Sequence, residues 1–123
     1  MAAPNMINVV SMTGRTKVVN LSTTNNTEIL ANPGSSNAVY KVNFIRATNV
    51  DGVSAADITL DFDDNGTVGY LASTISVPAD STLSIIGKDN QFYLEEGDSV
   101  SAQSSSADDI SILIAYEIIT DTP

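Results

Sequence analysis

Apolar and polar residues alternate with a period of two along most of the chain, and no stretch holds a helical period for long. Met6–Val10 and Thr16–Leu21 are the first predicted strands, with Gly14 as a break between them. Glu28–Ala31 follows and ends at the turn cluster Asn32-Pro33-Gly34-Ser35-Ser36-Asn37. Val39–Val50 is the longest strand. Tyr40, Val42 and Phe44 share one face, while Ile45 and Ala47 occupy the other, which implies a central strand or a bulge near Phe44-Ile45 that swaps faces. Ile58, Leu60 and Phe62 alternate with Thr59, Asp61 and Asp63, the cleanest half-buried strand in the chain. Asn65-Gly66 then predicts a two-residue hairpin, with Val68–Val77 as the returning strand. Leu83–Ile86, Phe92-Tyr93-Leu94 and a short strand opening at Val100 follow. The final strand places Ile110, Ile112, Ile114, Tyr116 and Ile118 on one face.

Eight or nine short strands with turn signals at about ten-residue spacing predict an all-β fold, an antiparallel β-sandwich of jelly-roll-like type. Residues 1–25 are less regular and read as an extended N-terminal arm or an edge strand, and residues 26–123 as a single sandwich domain. Composition agrees. The 15 Ser, 12 Thr and 11 Asn favour strands and turns over helix. No apolar run approaches the roughly 20 residues of a membrane-spanning helix. The first residues, Met1-Ala2-Ala3-Pro4-Asn5, lack a basic and then apolar leader, so no secretory signal is expected.

Charge and missing residue types narrow the chemistry. The net charge is −10, and there is no Cys, His or Trp. Without His or Cys, the usual nucleophile–base pairs and the N/S-ligated metal sites are excluded. Acidity argues against nucleic-acid binding, which needs clustered Lys and Arg. No cofactor, membrane partner or catalytic residue is expected, and the chain reads as a non-enzyme. Asp61-Phe62-Asp63-Asp64-Asn65-Gly66 matches the front of an EF-hand loop, which makes Asp61, Asp63 and Asn65 candidate calcium ligands. The twelfth position, where a bidentate Glu is needed, is Ala72. A hairpin turn is the preferred reading, and an ion bridging two subunits through Asp61 and Asp63 is the version of a metal site left open. Glu95-Glu96-Gly97-Asp98 and Asp108-Asp109 read as solvated turns rather than catalytic acid pairs.

From residue 38 the sequence resembles small virion structural proteins of tailed phages, closest to those of cyanophages. Ala38-Val39-Tyr40-Lys41-Val42, Ala47-Thr48-Asn49-Val50-Asp51-Gly52 and Ala55-Ala56-Asp57-Ile58-Thr59-Leu60 carry the resemblance, with Tyr70–Leu83 and Tyr93–Val100. It implies a virion protein assembled in the host cytoplasm. The expected role is a capsid decoration (cement) protein that binds the major capsid protein or other virion proteins, as a homo-oligomer with a trimer favoured. A head–tail, neck or tail accessory protein is the alternative within the virion, and a carbohydrate-binding adhesion domain the alternative outside it.

Overall fold

The structure is a computed structural model and describes residues 9–121. Nine strands follow one another: β1 (Val9–Leu21), β2 (Thr27–Ala31), β3 (Ala38–Asn49), β4 (Ala56–Asp64), β5 (Thr67–Val77), β6 (Thr82–Ile86), β7 (Phe92–Leu94), β8 (Ser99–Ser104) and β9 (Ile110–Asp121). No described residue is helical, and no helix is long and apolar enough to cross a membrane. The first sheet runs β1-β9-β3-β6, with β7 also on β3; the second runs β2-β8-β4-β5. β6 and β7 lie along successive stretches of β3, Ile45–Thr48 and Tyr40–Val42, so they act as two halves of one strand. Counted that way, the first strand pairs with the last, the second with the second-last, and so on inward to the β4–β5 hairpin. The chain is therefore one long antiparallel hairpin wound over itself, the jelly-roll form of the sandwich.

The alternation read from the sequence fills the space between the sheets. Ile58 and Leu60 of β4 and Val100 and Ala102 of β8 come from one side. Ile45 and Ala47 of β3 and Ile112 and Ile114 of β9 come from the other. All eight are fully buried. Each large aliphatic side chain in this layer contributes about 1.5–3 kcal/mol through burial. Phe62 and Phe92 meet edge-to-face at 5.4 Å, and Tyr40 stacks on Tyr116 at 5.7 Å.

The face swap in β3 falls one residue before the expected place. The register with β9 shifts between Val42 and Phe44, so the bulge lies at Asn43. Val42, Ile45 and Ala47 consequently all face the core, and Phe44 turns outward under Arg46, whose guanidinium sits 4.6 Å from the ring centre. Tyr40, Val42 and Phe44 therefore do not share a face. Gly14 does not divide two strands either. β1 runs through it, because an edge strand with nothing packed on it tolerates a missing side chain; a Cβ there would touch nothing within 4 Å. Of the expected segment Met6–Val10, residues 6–8 lie outside the described residues.

Two buried Asn side chains tie the strand ends together. Asn32 donates through Nδ2 to the Ala38 and Leu94 carbonyls, both at 2.9 Å, and Ser36 Oγ donates to its Oδ1. Asn49 donates to the Ser54 and Val77 carbonyls at 3.0 and 2.9 Å and accepts from the Asp51 N–H at 2.9 Å. Both sites satisfy carbonyls that the ends of strands leave unpaired.

Candidate functional site

Asp61, Asp63 and Asn65 lie along the end of β4 and its turn, each with a separate structural task. Asn65 (φ 48°) and Gly66 (φ 113°) take the left-handed conformations of a primed hairpin turn. Asp63 Oδ1 accepts the Gly66 N–H at 2.7 Å and so caps that turn. Asp61 sits on the outer face, as its alternation with Phe62 requires, but it is buried. The segment between β1 and β2 crosses this face: Asn26 donates to Asp61 Oδ2 at 3.2 Å, and Gln103 Nε2 donates to the Thr24 carbonyl at 3.0 Å. Among the described residues, no group of three His, Cys, Asp or Glu side chains is placed to hold a metal ion.

The second acidic turn builds a different environment. Gly97 (φ 89°) lets the chain reverse, its N–H reaching the Asn32 carbonyl at 2.9 Å. Asp98 folds back so that Oδ2 accepts the Glu95 N–H at 2.9 Å. Its residue exposure is only 2%, and Oδ1 is buried without a hydrogen-bond partner. Burial pushes the Asp98 carboxyl above the usual carboxylate range; the Glu95 N–H opposes that, and the neighbouring Asp64 and Glu95 charges add to it. Glu96 accepts the Asn37 N–H at 3.0 Å, linking this turn to the 32–37 loop. Asp109 accepts the Val50 N–H through its backbone carbonyl, and Asp108 (φ 64°) donates its own N–H to the Leu21 carbonyl. These acids organise turns.

The features free to act are edges. Among the described residues β1 pairs only with β9 and β5 only with β4, so each leaves one side of its backbone open. Residues 11–18 of β1 are exposed on both faces, and from Ser11 to Leu21 the register has no irregularity. β1 contains no acid and carries Arg15 and Lys17, two of the five cations in the sequence. β5 exposes Val68, Tyr70 and Ile75 beside the acids of β4. Its middle is broken by register shifts, and Thr74 there has φ 51°, with its N–H donated to Thr59 Oγ1 at 3.0 Å. A shallow polar depression of about 230 Å³ lies beside that kink, lined by Asp57, Thr59, Thr74, Gln103, Ser104 and Ser105.

The sequence does not reveal the buried state of Asp98, because a turn acid becomes buried only when a distant loop closes over it. Nor does it reveal the two Asn clamps. Asn32 stands directly before Pro-Gly, and Asn49 stands two residues before Asp-Gly, positions that equally suit an exposed turn.

The chain matches no protein-family profile and no curated protein sequence. Among solved structures, several chains are similar to it. A chain of the acid-stable capsid of Helicobacter pylori bacteriophage KHP30 superposes with a TM-score of 0.54 at 8% identity, over 93% of this chain and 91% of that one. A chain of the Bacillus endospore appendages, a family of disulfide-linked pili, gives a TM-score of 0.49 at 18% identity, covering 92% and 90%. A pentameric capsid protein from metagenomic phage sequences gives 0.38 at 22% identity, covering 97% of this chain and 65% of that one. The KHP30 likeness concerns the fold; nothing rests on the two lower scores.

Proposed function

We propose that this chain is a structural protein of a phage virion, and within the virion a decoration protein that docks on the assembled capsid as a homotrimer. The observation that carries the reading is where the free groups lie: on open strand edges and outer faces of a rigid jelly roll rather than in a cleft. Such a molecule works by contact. The sequence resemblance over residues 38–100 and the fold shared with a phage capsid chain support the same reading. The acids on turns and outer strand faces keep many copies soluble before docking and disfavour adsorption to the packaged genome. On this reading the chain is not an enzyme, its partner is the major capsid protein, and it joins the virion in the host cytoplasm.

Cosedimentation of the purified full chain with mature heads tests the proposal. Saturable binding at a stoichiometry comparable to that of the capsid protein is expected. Binding confined to tails or necks, or none at all, would overturn it.

The polar depression beside Thr74 favours a second reading, a carbohydrate-binding domain, since hydroxyl-rich ligands suit a lining of Asp, Thr, Ser and Gln. No aromatic ring lines it to stack on a sugar, which is why the decoration reading is preferred. Calorimetric titration with glycans distinguishes the two.

A further inference from the structure

We propose that the β1 edge of one copy pairs with the β5 edge of a second copy, joining the first sheet of one molecule to the second sheet of the next. This deepens the reading above by naming the surface through which copies associate; it does not depend on what the oligomer then binds.

Three observations lead there. From Ser11 onward β1 is a long regular edge, exposed on both faces over residues 11–18, its one register shift lying at the start between Val9 and Ser11. The charged residues of β1 are Arg15 and Lys17, which share a face because they stand opposite Tyr116 and Ile114 of β9. That is the core-side face of the first sheet, since Ile114 is fully buried. The complementary charge lies on β4, one strand in from the long open edge of β5. Asp61 and Asp63 pair with Tyr70 and Val68 on the outer face of the second sheet.

The faces then match without rearrangement. When the first sheet of one copy continues into the second sheet of another, both molecules keeping the same sense, the two sandwiches are offset by one sheet spacing, about 10 Å. The core-side face of β1 becomes continuous with the outer face of β5, which sets Arg15 and Lys17 toward Asp63 one strand away, Asp61 being covered by the 22–26 segment. The opposite face brings the exposed Met12 and Val18 of β1 to the core-side face of β5, where Ile75 is 41% exposed. Cations meet an acid on one face and apolar residues meet on the other. A β1–β1 pairing has no such match, because it sets cations against cations with no acid on either strand.

The contact is head-to-tail, so repetition closes a ring or runs on as a filament. A closed trimer is the ring that the decoration reading calls for.

The test uses the absence of Cys from the sequence. Lys17→Cys and Tyr70→Cys are each placed on exposed edge positions in separate preparations, mixed, and treated with a short bismaleimide. Molecular mass is followed in parallel by light scattering. We expect crosslinks between the two variants and oligomers that dissociate as salt rises. The double variant R15E/K17E should associate at least roughly tenfold more weakly while unfolding at the wild-type temperature. Crosslinks only among Lys17→Cys copies would overturn the proposal. So would a wild-type chain that stays monomeric at high concentration and low salt. A monomer that still cosediments with heads would refute this inference and leave the decoration reading intact.

Discussion

Single side chains in this protein hold the turns from which the strands spring. Asn32 and Asn49 each donate to two carbonyls from buried positions. Asn32→Ala or Asn49→Ala strands those acceptors away from water and should cost about 2–3 kcal/mol in urea unfolding. Asp98 behaves differently. Its carboxyl is raised above 3.8 mainly by burial, so the native state binds a proton more readily than the unfolded chain. Its contribution is fully present below 3.8 and is lost as pH rises through the raised value. Asp98→Asn keeps the acceptor for the Glu95 N–H and removes the buried charge. It should therefore match or exceed wild-type stability at pH 7, by up to about 1 kcal/mol, and lose that advantage on acidification. Asp98→Ala should be less stable than both, because the Glu95 N–H loses its partner. Thermal unfolding of the three proteins between neutral and mildly acidic pH reads the order directly.

At the scale of elements, period-two patterning carried most of the fold into view. β4 is the clear case: Ile58 and Leu60 are buried, Phe62 packs against the same core, and Asn65-Gly66 makes the turn that the dipeptide dictates. Gly66 at φ 113° has open space around it, so Gly66→Ala should cost about 1 kcal/mol through backbone strain alone. Three features were not legible, each for a reason of context. Gly14 looked like a break, yet an edge strand buries nothing there that a missing side chain would unsettle. The bulge at Asn43 was foreshadowed by apolar residues on both faces of β3, but its position depends on the register with β9. Asp61 looked solvated by alternation and is buried because the 22–26 segment crosses over it. In β5 the strain sits at Thr74, a β-branched residue at φ 51°. Thr74→Asn should relieve about 0.5–1 kcal/mol, since Asn enters this conformation more easily and the backbone bond to Thr59 remains. An increase in unfolding midpoint without a change in slope would verify it.

The whole molecule presents a closed core, acidic turns and open strand edges, of which the two long ones, β1 and β5, are of unlike character. The wound hairpin explains why the edges differ. β1 begins the winding and is covered on neither face over residues 11–18. β5 closes the innermost hairpin and carries that hairpin's aspartates beside it. A molecule built this way acts through what lies beside it, which is the basis of the proposed virion role. The most direct test is a cryo-electron microscopy map of the complete particle that contains this chain. Jelly-roll density on the outer surface of the head, repeated with the capsid lattice, is the expected result. Density confined to the neck or tail, or a head shell without it, would contradict the decoration role.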